Sequence, residues 1–138
     1  MADQVHFELV SPERLELATD VEMVVVPGSE GDFGVLPGHM PLISTVRPGV
    51  IYVFRDGKVS ERIFVEGGFA EVTPESCTIL AEHARVVSEI ELSKASQEAE
   101  DAKEDLEDAK DEHAREHAAK LLSIAEARLA AATEASAY

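Results

Sequence analysis

The stretch Ser29-Glu30-Gly31-Asp32-Phe33-Gly34-Val35-Leu36-Pro37-Gly38-His39-Met40-Pro41-Leu42 decides how this chain is read. It is a glycine- and proline-rich turn system set inside a sequence that otherwise alternates like β-strand. Its glycines admit positive φ. Pro37 and Pro41 fix φ and push Leu36 and Met40 toward extended conformations. The backbone therefore sets the shape of this loop, and the loop gathers Glu30, Asp32 and His39. Three readings follow from the residues. A phosphate cradle needs glycines opening a helix, with Lys and Ser/Thr, and this stretch has no Lys. Two carboxylates and a His could form a metal or acid–base site, but their spacing does not require one. A shaped docking loop on a rigid scaffold fits best.

Outward from the loop, short strands alternate with turns. Val5, Phe7 and Leu9 share one face and His6 and Glu8 the other, the pattern of a half-buried strand. Ser11-Pro12 marks a turn, and Leu15 and Leu17 begin a second strand. Residues 21–26 form a Val/Met-rich run ending at Pro27-Gly28. Beyond the loop, Val50 to Phe54 and Val59 to Val65 flank Asp56-Gly57, which predicts a hairpin with a type I′ turn. Phe69 to Val72, Cys77 to Ala81 and a short Arg85–Val87 segment complete the set. Many short strands with frequent turns predict an antiparallel sandwich or barrel.

From Ser88 the period changes. Ala95, Ala99, Ala102, Leu106 and Ala109 form one stripe, and Ala114, Ala118, Leu121, Ala125, Leu129 and Ala132 a second. Ser88 with Glu91 reads as a capping box. The stripes fall out of phase near Asp111-Glu112-His113, where a helical hairpin would turn; the alternative is one helix of about 45 residues. Alanine seams bury little apolar area, so this arm is expected to detach from its neighbours easily. The predicted fold is thus mainly β plus α: an antiparallel β-sandwich over residues 1–87, then a two-helix antiparallel hairpin over 88–138.

Composition supports the division. All eight Gly and all six Pro lie at or before Pro74. Residues 1–86 and 87–138 each carry six basic and fourteen acidic side chains, so the second part is the more densely charged. The net charge of −16 disfavours nucleic acid and direct binding to anionic lipid. No apolar run approaches the 18 or so residues of a membrane span. Met1-Ala2-Asp3-Gln4 lacks the features of a signal or transit peptide. The single Cys77 excludes an internal disulfide and fits a buried thiol in a reducing compartment. His113-Ala114-Arg115-Glu116-His117 matches HxxEH, but it lacks a cleft and a third ligand, so no metal is expected. The acidic run from Glu98 to Asp108 reads first as a solvated helix face.

Residues 28–49 resemble the ε subunit family of F-type ATP synthases. The family pattern Gly-Ser-Glu-Gly-acidic-x-Gly-x-x-Pro-Gly-His-x-Pro-Leu is matched from Gly28 to Leu42, followed by Pro48-Gly49. Gly67-Gly68-Phe69-Ala70-Glu71-Val72 is similar to a second family block. The resemblance implies a flattened β-sandwich and a non-catalytic rotor subunit. In the family the sandwich binds the γ subunit and the c-ring, and the C-terminal helices reach the α/β catalytic head and restrain ATP hydrolysis. It implies partner contacts at Glu30, Gly31, Asp32, Phe33, His39 and Met40. Some members bind ATP through [I/L]-D-x-x-R-A. The aligned residues Ile90, Glu91, Lys94 and Ala95 replace Asp by Glu and Arg by Lys, so ATP as a regulatory ligand would bind weakly or not at all. No other cofactor is implied. The resemblance places the protein peripherally on the cytoplasmic face of a bacterial inner membrane. The competing readings are an unrelated β-sandwich adaptor recruiting partners through its helical arm, and a hydrolase using Glu30, Asp32 and His39.

Overall fold

The computed structural model describes residues 4–12 and 14–133. The leader expectation rests partly on residues 1–3, outside this range. The chain divides into two compact units, one up to Val86 and one from Val87 onward.

Among the described residues the first unit holds ten strands: β1 (Val5–Val10), β2 (Leu15–Val21), β3 (Met23–Gly28), β4 (Gly31–Val35), β5 (Leu42–Val46), β6 (Gly49–Arg55), β7 (Lys58–Val65), β8 (Gly68–Val72), β9 (Ser76–Ala81) and β10 (Ala84–Val86). They form one continuous sheet in the order β10-β7-β6-β3-β5-β8-β9-β1-β2, with β4 paired to β3. The sheet folds into two layers at β3–β5, where only Gly28 and Val46 pair. Across the opposite side, the Glu22 amide donates to the Phe54 carbonyl at 3.0 Å, and Arg55 Nη2 donates to Thr19 Oγ1 at 2.9 Å. The result is a nearly closed sandwich. Period-two alternation fills it: Val5, Phe7 and Leu9 from β1, Ile51 and Val53 from β6, and Cys77 and Ile79 from β9 are buried in one core. Burial pushes the Cys77 thiol up to about 12, as the apolar core disfavours a thiolate.

Three expectations are corrected here. The sandwich is not wholly antiparallel: β1 and β9 run parallel, from His6 opposite Ser76 to Val10 opposite Leu80. A long connection makes this possible, and here seven intervening strands supply it. The loop also contains a strand, since Gly31–Val35 pairs with β3 from Val24–Val35 to Gly28–Gly31; glycine density hid it. The Asp56-Gly57 turn matches its prediction, with φ values of 54° and 74° as type I′ requires.

In the second unit a 3-10 turn, Val87–Glu89, precedes α1 (Leu92–Asp108) and α2 (Glu112–Thr133). The third correction concerns capping. Ser88 falls inside the 3-10 turn rather than at the helix start, and the N-cap of α1 is Glu91, which makes no side-chain cap hydrogen bond. Glu107 and Asp108 end α1 against the negative pole of its dipole, which favours termination there. Asp111 caps α2, accepting the Ala114 amide at 2.8 Å. Ala95 and Ala99 of α1 and Ala118, Ile124 and Ala125 of α2 are buried. Leu121 faces outward instead, and Ile124 takes its expected place in the seam. Arg128 donates to Glu98 at 2.9 Å, closing the hairpin near its open end. No described helix is long and apolar enough to cross a membrane.

Candidate functional site

The β3–β4 hairpin is closed by the Gly28–Gly31 pair, leaving Ser29 and Glu30 exposed at its tip. Gly31 has φ of +134°, a conformation side chains rarely adopt. A Cβ on Gly28 would meet the Gly31 carbonyl at 2.8 Å and the Phe33 ring at 2.9 Å. The half-buried Phe33 thus lies over Gly28 and packs against the core. Asp32 sits one pair back from the tip, opposite Pro27. Its carboxylate accepts a 2.7 Å bond from Arg47 Nη2, and Arg47 Nη1 donates to the Gly28 carbonyl at 2.6 Å.

The following turn is built differently. The His39 amide donates to the Leu36 carbonyl at 3.1 Å, with Pro37 and Gly38 between them. Gly38 has φ of +83°, so Pro at the second and Gly at the third position make a type II turn. The Gly38 amide donates to the Pro74 carbonyl at 2.8 Å, tying this turn to the β8–β9 corner. His39 Nδ1 donates to the Met40 carbonyl at 2.6 Å, and the Met40 side chain stands 79% exposed. Glu30, Asp32 and His39 are therefore each held by separate local structure. Among the described residues no group of three or more His, Cys, Asp or Glu is arranged to hold a metal ion. His113, Glu116 and His117 are exposed in the first turns of α2. At the start of α1, Glu91 and Lys94 are exposed, Ile90 is half-buried and Ala95 is buried.

A second feature was not foreseen. The register aligns Thr45 with Phe69, Phe69 with Leu80, Leu80 with Val10 and Val10 with Leu15. One rung therefore crosses five strands on the outer face of the sandwich. Phe69 is 58% exposed, Leu80 52% and Leu15 57%, and Ile43, two residues from Thr45, is 75% exposed. Together they present on the order of 400 Å² of apolar surface, within the range where monomers carry functional patches. The rung reaches the hairpin, because the Ser29 amide donates to the Thr45 carbonyl at 3.0 Å. Each strand looks unremarkable alone. The available clue was parity: Phe69 and Leu80 stand on the opposite faces from Ala70 and Ile79, so each of β8 and β9 puts one large apolar side chain on the outer face that it otherwise gives to Glu71, Ser76 and Thr78.

Further along the same face, His6 Nδ1 lies 2.9 Å from Asp20 and Nε2 3.2 Å from Glu8. The hydrogen bond to Asp20 is the main reason the imidazole is held above its ordinary pKa, with Glu8 assisting.

Comparison with known proteins agrees with this geometry. Residues 4–87 match the family model for the ATP synthase delta/epsilon chain β-sandwich domain. A Maricaulis maris protein named ATP synthase epsilon chain is 54% identical over 132 residues, covering 96% of this chain and 98% of that one. A Paramagnetospirillum magneticum protein of the same name is 52% identical over 131 residues, covering 95% and 98%. A chain from the mitochondrial ATP synthase of Euglena gracilis, in a structure that includes the c-ring, superposes with a TM-score of 0.81 at 26% identity. That match covers 92% of this chain and 80% of the other. A chain from the central stalk and c-ring of the Tetrahymena thermophila enzyme shares the fold, with a TM-score of 0.72 at 16% identity over 94% and 96%. This chain belongs to the ATP synthase epsilon-chain family.

Proposed function

We propose that this chain is a non-catalytic rotor subunit of an F-type ATP synthase, linking γ to the c-ring so that proton flow drives ATP synthesis. The observation that carries the reading is the exposed apolar rung Phe69-Leu80-Val10-Leu15, continuous with the clamped hairpin. On a chain of net charge −16, such a face is costly to leave in water and is accounted for by a protein partner. The rung offers the apolar area that γ would cover. The hairpin tip, with Ser29 and Glu30, offers polar contact to c-ring loops, and His39 and Met40 lie at the stalk side. A nearly closed sandwich is stiff, which suits a part that passes torque.

The helical unit is the regulatory part. Its alanine seam buries little, so α1 and α2 can separate at low cost, reach the α/β head and restrain ATP hydrolysis. The fourteen acidic against six basic residues from residue 87 onward make it a weak inhibitor if acidic surfaces of the head must be met. Lys94 lacks the planar fork of Arg, so ATP binds this arm weakly or not at all. The protein is peripheral to the bacterial inner membrane, on its cytoplasmic face, held there by its partners. Co-purification tests the reading. Tagged full-length chain should retain both γ and the c-ring after a salt wash, and retention of neither would refute it.

A further inference from the structure

Beside the apolar rung, the outer face of β1 carries a charged cluster. Val5, Phe7 and Leu9 point into the core, so His6, Glu8 and Val10 share the opposite face. Val10 belongs to the rung, and Glu8, two residues before it, stands about 7 Å away along the strand. Asp20 of β2 lies opposite His6. The imidazole sits between the two carboxylates: Nδ1 is 2.9 Å from Asp20 Oδ1, and Nε2 is 3.2 Å from Glu8 Oε2. Both ring nitrogens therefore face an oxygen that only accepts hydrogen bonds. A neutral imidazole has one N–H to donate and the imidazolium has two, so only the charged ring satisfies both contacts. On the other side of β1, β9 places the uncharged Ser76 opposite His6 and Thr78 opposite Glu8. The β8–β9 turn adds Glu75, whose carbonyl accepts the His6 amide at 2.9 Å and whose carboxylate accepts a bond from the Thr73 hydroxyl. Among the described residues no lysine or arginine pairs with Glu8 or Asp20.

We infer that the His6–Glu8–Asp20 cluster is the polar rim of the face that γ covers, and that docking takes up a proton on His6. This rests on the reading above that γ covers the rung. With the imidazole charged, one positive group offsets two negative ones and a single negative charge remains. With the imidazole neutral, two remain. A surface that complements Val10, Leu15 and Leu80 is apolar where it meets Glu8. Covering two uncompensated carboxylates in such a contact costs more than covering one. The complex therefore holds the proton more firmly than the free chain, and by reciprocity binding is tighter when His6 is charged. In the free chain the imidazole is already held above its ordinary pKa, mainly by its bond to Asp20. Binding is at full strength below that elevated value, and it weakens as pH climbs from there to the higher value of the complex.

The test measures Kd of the full-length chain for a γ-containing catalytic core lacking this subunit, from about pH 6 to about pH 9, the span in which a histidine changes charge. Binding should weaken about threefold to fivefold across it, the size of an exposed charge interaction. His6→Gln should lose this dependence and bind at the weaker, high-pH strength throughout, since an uncharged side chain then sits between the carboxylates. Glu8→Gln should bind more tightly than the unaltered chain at high pH, with a shallower dependence. Calorimetry in two buffers of different ionisation enthalpy should show proton uptake on binding near neutral pH, and none with His6→Gln. Melting temperatures report that each variant is folded under the binding conditions. A pH dependence unchanged by His6→Gln, no dependence at all, or tighter binding at high pH overturns the inference. The last result would mean that a cation of the partner takes the two carboxylates in place of His6. In all three cases Phe69→Thr still weakens binding. Failure of the underlying docking reading looks different, because Phe69→Thr then leaves Kd unchanged at every pH.

Discussion

Replacing Phe69 by threonine separates docking from folding. Phe69 leaves 58% of its surface in water. A fully exposed phenylalanine offers about 200 Å², so a partner can cover on the order of 100 Å². At about 25 cal/mol per Å² that burial contributes about 2.5 kcal/mol. Threonine retains part of the contact, so the loss is about 2 kcal/mol, roughly thirtyfold in Kd for γ. The isolated chain should hardly respond. The phenylalanine already lies outside the core, and threonine places a β-branched side chain, favoured in strands, opposite Thr45 and Leu80. The assay pairs calorimetric binding to γ with thermal unfolding of the free chain. Unchanged binding with an unchanged melting temperature would refute the claim that this rung is covered by γ. A large fall in melting temperature would refute the claim that Phe69 is spare to the fold.

Three further outcomes follow from the same geometry. Gly68→Ala should destabilise the sandwich by about 3 kcal/mol or more, because a Cβ there overlaps the Leu80 carbonyl and φ is +147°; chemical unfolding measures it. His6 is held above 6.5 mainly by Asp20. Its contribution to stability is therefore complete below pH 6.5 and fades as pH rises through the elevated folded value. His6→Gln should remove that slope from a pH series of melting temperatures. Arg128→Ala should weaken the α1–α2 hairpin by about 0.5–1 kcal/mol, since the Arg128–Glu98 pair is only partly buried; faster amide exchange around Ala99 and Ala125 would report it.

Much of the architecture was legible because it is local. Alternation at Val5-Phe7-Leu9 placed β1, Asp56-Gly57 placed the β6–β7 turn, and the loss of Gly and Pro after Pro74 marked the change to helix. What escaped depends on the third dimension or on competing local chemistry. β4 was hidden because Gly31 and Gly34 read as breakers, yet pairing with β3 overrides that preference. Ser88 looked like an N-cap, but the chain first makes a 3-10 turn and begins α1 at Leu92. Leu121 fitted the apolar period and still faces water, because the seam is set by what α1 presents. The candidate site was half visible. The glycine-rich hairpin and its acidic residues stood out. The pairing of Asp32 with Arg47, fifteen residues apart, and the rung across five strands exist only once the register is known.

If the sandwich docks on the stalk and the helices act on hydrolysis, removing the helices separates the two roles. The most direct measurement is ATP hydrolysis by a γ-containing catalytic core lacking this subunit, titrated with the full chain or with a chain ending at Val87, while binding is followed in parallel. The account predicts that both forms bind with similar affinity and that only the full chain slows hydrolysis, by a modest amount. Loss of binding by both forms, or equal slowing by both, would contradict it.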